Sequence, residues 1–161
     1  RIRYNDTEPY LSIYENPHDS PLLSVFLENR AGQLVEITGI LAEGGIDLRA
    51  INIAEAQDYG VLRLIADDAR LAARLLSERD FVVSVTPVVA VAVSDRPGKL
   101  NEVLSVIAAA GIDIGYMYSS FGKEDGVAYM IFRVEDAEKL TQALQTAGFE
   151  TAGPEELGIK A

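Results

Sequence analysis

Cysteine is absent from the 161 residues, histidine occurs once, and basic side chains number only 14 against 25 acidic ones. Each shortage removes a class of chemistry. Without Cys there are no disulfides, thiolate metal sites or Cys nucleophiles, and the lone His18 cannot build a multi-histidine metal centre. A formal charge of −11 argues against a nucleic-acid partner, because backbone binders gain affinity by neutralising phosphates with Lys and Arg. No apolar run approaches the roughly 20 residues that span a bilayer; the longest, Phe81 to Val93, is broken by Ser84, Thr86 and Pro87. Nor does a basic-then-apolar leader open the chain. The protein is therefore expected to be soluble and cytoplasmic, with neither membrane nor nucleic acid as partner. Because it opens on Arg1 rather than methionine, it is expected to be a fragment or processed product.

What is present is apolar side chain: 48% of residues are hydrophobic, enough for a packed core and against disorder across most of the chain. The length suits one ordinary domain or two very small ones. Self-comparison favours two. A shift of 66 residues aligns Arg30-Ala31-Gly32-Gln33-Leu34 with Arg96-Pro97-Gly98-Lys99-Leu100, Gly45-Ile46-Asp47 with Gly111-Ile112-Asp113, and Gly60-Val61 with Gly126-Val127. Beyond an insertion of two residues, Asp68-Ala69 meets Asp136-Ala137 and Phe81 meets Phe149. The organisation read from this is an arm or linker over 1–20, repeats over 21–86 and 87–153 with effectively no linker between them, and a tail over 154–161.

Each repeat carries the same succession of signals. Short β-branched runs, Leu22 to Leu27 and Val88 to Val93, suit first strands. Apolar spacing then predicts helices through Leu34, Ile37, Ile40 and Leu41, or Leu100, Val103, Leu104 and Ile107, stopped by Gly45 or Gly111. Strands follow from about Asp47 to Ala54 and Val61 to Ala66, or Asp113 to Ser120 and Val127 to Val134. Second helices, Ala69 to Arg79 or Ala137 to Ala147, lead to last strands beginning at Phe81 or Phe149. The class is α+β: two ferredoxin-like βαββαβ domains, with antiparallel sheets and helices on one face. Both parities of the strands are apolar, Leu23, Val25 and Leu27 against Leu22 and Phe26, so the second sheet face needs a cover. A second copy of the sheet is the simplest one, and a homodimer or higher homo-oligomer is expected.

The strongest candidate site is the loop after each first strand, Glu28 to Leu34 and Ser94 to Leu100. It delivers the chain to a helix N-terminus, where unpaired N–H groups and the dipole favour an anion such as a carboxylate. Equally, Asn29 and Asp95 can serve as caps, and the glycines as turns. Asp47 and Asp113 follow the helix-ending Gly-Ile, as turn residues or as partners for an ammonium group. Arg30 and Arg96 can reach a ligand carboxylate or stay solvated. Tyr116 and Tyr118 share a strand parity, as a pocket lining or as core. His18 reads as a surface residue. Asp67-Asp68 and Glu155-Glu156 read as helix starts rather than metal sites.

With these motifs in place, the sequence resembles the ACT domain family of small-molecule regulatory modules. Asn-Arg-Ala-Gly-Gln-Leu and Asp-Arg-Pro-Gly-Lys-Leu, each followed by Gly-Ile-Asp, are similar to the family's first-loop and second-strand signature, and the likeness covers about 21–153. It implies amino-acid ligands bound between paired domains. One domain would supply the first loop, Asn29, Arg30, Ala31, Gly32, Gln33 and Leu34, or Asp95, Arg96, Pro97, Gly98, Lys99 and Leu100. Its neighbour would supply Asp47 or Asp113, with Asn52 or Tyr118. Serine-binding members place a His two residues before the position of Asn29; Leu27 and Val93 stand there instead. Ala31 in place of proline suggests that the two loops differ.

The function expected is therefore a non-catalytic binder of a free amino acid, without a cofactor, acting by allosteric regulation of a partner enzyme. Alternatives are a purely structural dimerisation module and the regulatory part of a larger enzyme. An RNA-recognition module shares the element order, and Gly126 to Phe132 mimics part of its aromatic motif. Asp125 in place of a base, the aromatic-free Gly60 to Ala66 and the net charge count against it. No acid–base or nucleophilic constellation is readable.

Overall fold

A computed structural model describes residues 16–28, 30–55, 59–120 and 126–160. The expected arm lies outside them up to residue 15. In chain order the elements are β1 (Asp19–Glu28), α1 (Gln33–Glu43), β2 (Leu48–Glu55), β3 (Tyr59–Ala66), α2 (Ala69–Glu78), β4 (Val83–Ser94), α3 (Lys99–Ala109), β5 (Ile114–Ser120), β6 (Val127–Val134), α4 (Ala137–Thr146) and β7 (Thr151–Ala152). The βαββαβ order appears twice, as the periodicity predicts.

The two sheets are continuous with one another. Strand order is β2-β3-β1-β4-β6-β5, with β7 also paired to β4 and every pairing antiparallel. What the sequence presents as the last strand of one repeat and the first of the next is the single strand β4. Its start pairs with β1, Val83 opposite Val25, and its end pairs with β6, Ser94 opposite Val127. Pro21 faces Pro87, and Leu22↔Thr86 mirrors Ser20↔Val88, so the pairing is two-fold about the prolines that open the repeats. Pro has no N–H to give a ladder, and two of them opposite one another place both losses at the same point.

Strand alternation distributes the core. Leu23, Val25, Leu62 and Leu64 meet Ile37, Leu41, Ala72 and Leu76 of α1 and α2, and Val89, Val91, Phe132 and Val134 meet Val103, Ile107, Leu140 and Leu144 of α3 and α4. On the other face Leu22, Ile65 and Ala50 of repeat one pack with Val88, Ala90, Tyr118, Tyr129 and Ile131. The sheet bends until β2 and β5, first and last in its order, touch, and Ser120 Oγ donates to the Arg49 carbonyl over 2.9 Å.

Much of the second face is therefore covered within the chain, not by the second copy that the strand pattern suggests. The tail contributes as well. Leu157 and Ile159 join that core, Arg49 Nε donates to the Leu157 carbonyl over 3.1 Å, and Lys160 N–H donates to the Asp67 carbonyl. Residues 154–158 form turns and not the helix start read from Glu155-Glu156. His18 is half-buried, its Nδ1 3.2 Å from Thr151 Oγ1.

Candidate functional site

The four helices begin in two different ways. Asp68 and Asp136 cap α2 and α4, their side chains accepting from the N–H groups of Leu71 and Lys139 over 2.9 Å. In α1 and α3 the cap position is Gly32 or Gly98, each left-handed with φ of 87° or 88°, and neither helix has a side-chain cap. A residue with Cβ is strained there, whereas glycine turns the chain into the helix at no such cost. Asp95 thus leaves the capping role unfilled, and Asn29 lies outside the described residues. The first-turn donors of α1 stay available to an anion, whereas in α3 the Lys99 N–H donates to the Arg96 carbonyl over 3.2 Å.

At the first loop the described chain forms a cavity around such a helix start. About 520 Å³ is enclosed by Glu28, Arg30, Ala31, Gly32, Gln33 and Leu34 of the loop, by Leu27 and Val35, and by Ile53, Ala54, Tyr59 and Gly60. The register explains the meeting, since Leu27 pairs with Gly60 and Glu28 with Tyr59, while Glu55 pairs with Gly60 across β3. Strand ends from β1, β2 and β3 thus lie beside the loop. Gln33 is 93% buried, yet its Oε1 has no hydrogen-bond partner. Arg30 is engaged by carboxylates, with Nη2 3.1 Å from Glu36 and Nε 3.5 Å from Glu28. The corresponding surroundings of the second loop run through 121–125, outside the described residues. There Arg96 Nε donates to Ser94 Oγ over 3.0 Å, Lys99 Nζ pairs with Glu102 at 2.8 Å, and Asp95, Pro97 and Gly98 are exposed beside the half-buried Leu100.

The remaining predicted residues are not gathered into this cavity. Asp47 stands at the opposite end of the strands, next to the Leu48↔Ala66 pair, and its carboxylate meets Arg49 at 2.7 Å. Its N–H donates to Asp67 Oδ1 over 2.9 Å. Burial alone would push the Asp67 carboxyl up, but the hydrogen bond from Lys160 and those from the N–H groups of Asp47 and Asp68 hold it below its usual value. Asp113 borders a separate polar cavity of about 600 Å³ with Glu135, Asp136 and Lys139. Asn52, opposite Arg63, and Tyr118 occupy the concave face. Burial first, and Tyr116 second, push the Tyr118 hydroxyl up against the pull of Arg63, whose guanidinium lies 3.8 Å from the Tyr116 ring centre.

Among the described residues no group of three His, Asp or Glu side chains is placed to hold a metal ion, and no helix is long and apolar enough to cross a membrane. Tyr129 and Phe132, the aromatics that mimic an RNA-stacking strand, are buried at 8% and 0% exposure and offer no face to a base. Sequence reasoning missed Val35, Ile53 and Tyr59 as lining residues. A signal existed: at the 66-residue shift Val35 meets Asn101 and Ile53 meets Ser119, apolar in one repeat and polar in the other.

The sequence profile of the ACT domain pair family matches residues 20–152. No curated protein matches. Among solved structures, protein BT0572 of Bacteroides thetaiotaomicron is 35% identical, with 88% of this chain and 96% of that one covered and a TM-score of 0.81. Two regulatory subunits of aspartate kinase share the fold. That of Thermus thermophilus is 18% identical, over 80% of this chain and 93% of the other, with a TM-score of 0.60. That of Thermus flavus is 15% identical, over 81% and 93%, with a TM-score of 0.54.

Proposed function

This chain belongs to the ACT domain pair family, and from that premise we propose that it is a non-catalytic regulatory protein whose ligand is a free amino acid. The observation that carries the reading is the cavity at the first loop, where an uncapped helix start and an unpartnered buried amide border the same space. A ligand carboxylate would accept from the first-turn N–H groups of α1, and carbonyl and amide oxygens at the cavity wall would accept from its ammonium group. Because the loop, β2 and β3 all contribute to the wall, a bound ligand would tie the loop to the edge strand. Tying those elements changes the surface that repeat one offers to a partner, and differential binding to two such surfaces is what regulation requires. Calorimetric titration with the twenty amino acids tests the proposal; saturable binding of at least one is expected, and binding of none at millimolar concentration rejects it.

The partner is proposed to be a second copy or a regulated enzyme, met through repeat one. Phe26, Tyr59 and Val82 lie at the open end of its sheet, 44%, 49% and 60% exposed, and the Phe26 and Tyr59 rings are 6.4 Å apart. Sedimentation should give a homodimer at micromolar concentration, and Phe26→Asp should shift it to monomer.

A further inference from the structure

Building on the amino-acid reading above, we infer that the first-repeat cavity takes an amino acid with a bulky apolar side chain, selected by its apolar lining, and that the Gln33 amide is a binding contact to the polar end of that ligand. Apolar exposure and unsatisfied polarity coincide there. Leu34, Val35, Ile53 and Tyr59 border the cavity, 40%, 75%, 54% and 49% exposed. Large apolar side chains left this open gain most from an occupant that removes them from water. A polar ligand side chain would instead lose hydration against them without finding hydrogen-bond partners.

Charge points the same way. The only basic group among the described residues of the wall, Arg30, already faces Glu28 and Glu36, so a ligand with an acidic side chain would meet an occupied guanidinium and two carboxylates. A basic side chain would have to displace Arg30 from those carboxylates. A neutral apolar side chain disturbs neither pair.

Gln33 supplies the second observation. A side chain 93% buried with an unpartnered amide oxygen is costly; the oxygen itself is fully buried, but the residue lines the cavity, so a turn of its side chain toward a bound ligand would complete it. A glutamine amide offers both an acceptor and donors, and can meet the ammonium or the carboxylate of a zwitterion held at the α1 start. Repeat two lacks the combination. At the 66-residue shift Lys99, Asn101 and Ser119 take the places of Gln33, Val35 and Ile53, and Lys99 is paired with Glu102. One apolar ligand per chain follows.

Calorimetry with Leu, Ile, Val, Met and Phe against Ser, Thr, Lys and Asp tests this on the whole chain. Saturable binding of at least one of the first group at one site per chain is expected, with the second group at least tenfold weaker. Ile53→Ser should weaken the apolar ligand at least tenfold. Gln33→Leu should do the same while leaving the ligand-free unfolding temperature unchanged or higher, because it removes an unsatisfied buried group. Binding confined to Ser, Thr, Lys or Asp would overturn the inference and leave the amino-acid reading standing, whereas no binding of any amino acid would remove both. A Gln33→Leu variant that melts earlier yet binds unchanged would give Gln33 a structural role and overturn its part.

Discussion

The two repeats share an element order and an internal two-fold, yet they meet solvent differently. Every large apolar side chain exposed among the described residues, from Phe26 to Val82, lies in repeat one. In repeat two Asn101 and Ser119 take the places of Val35 and Ile53, and the inner face that both repeats share is closed by the tail through Leu157 and Ile159. A duplicated fold therefore does not duplicate a surface. The backbone needs only its inward residues to keep one pattern, and the outward ones are free to differ, which under the proposed function makes one repeat the binding surface and the other a scaffold.

The largest effect should come from opening the scaffold. Leu157 is 1% exposed, and Leu157→Ala is expected to cost about 2–4 kcal/mol of stability through lost burial and a residual cavity, measured by urea denaturation. A loss near zero would mean that the tail does not close the shared inner face. Next comes an attempt to erase the difference. Lys99→Gln, Asn101→Val and Ser119→Ile together bring the second loop three of the first loop's lining residues, and a second calorimetric site within about tenfold of the first, near 1.4 kcal/mol, is expected. If no second site arises, the two repeats differ by more than these side chains.

Smaller effects separate the capped helices from the uncapped ones. Asp68→Ala and Asp136→Ala should each cost about 1 kcal/mol, while Asp95→Ala, at a helix without a side-chain cap, should stay within about 0.5 kcal/mol. The smallest effect distinguishes two aspartates by pH. Asp67 is held below its usual value in the fold, so its contribution is present above the unfolded-state value and lost as pH falls through the folded one. Asp19 is raised, by burial first and by Glu138, against the pull of His18. Its contribution has the opposite sign and is lost as pH rises through the folded value. Melting temperatures between about pH 3 and pH 7 should therefore fall less on acidification in Asp67→Asn than in the parent, and Asp19→Asn should melt higher than the parent at pH 7.

Much of this was legible in the amino-acid order. The Arg-x-Gly-x-Leu and Gly-Ile-Asp pairs mark the loops and helix ends, and the predicted strands lie within a few residues of the observed ones. The fusion of two predicted strands into β4 was less legible, because Pro87 reads as punctuation; only its pairing opposite Pro21 makes it tolerable within a strand. At the site, the sequence alone singles out Arg30 to Leu34, since glycine and helix-start signals are local. Ile53 and Tyr59 are brought to that loop by strand register, which is a property of three chain segments together.

Composition and periodicity by themselves determined that the chain is a duplicated α+β protein without thiol chemistry or a multi-histidine metal site, with a loop at a helix start in each half. Those features depend on residue type and on near neighbours, and the sequence records both directly. Only the tertiary structure decided that the halves form one bent sheet, that the second face is covered largely from within, and that a cavity with an unpartnered Gln33 opens at the first loop. Each of these depends on which surfaces meet across more than 20 residues of intervening chain, and apolar strands specify that they must be buried without specifying against what.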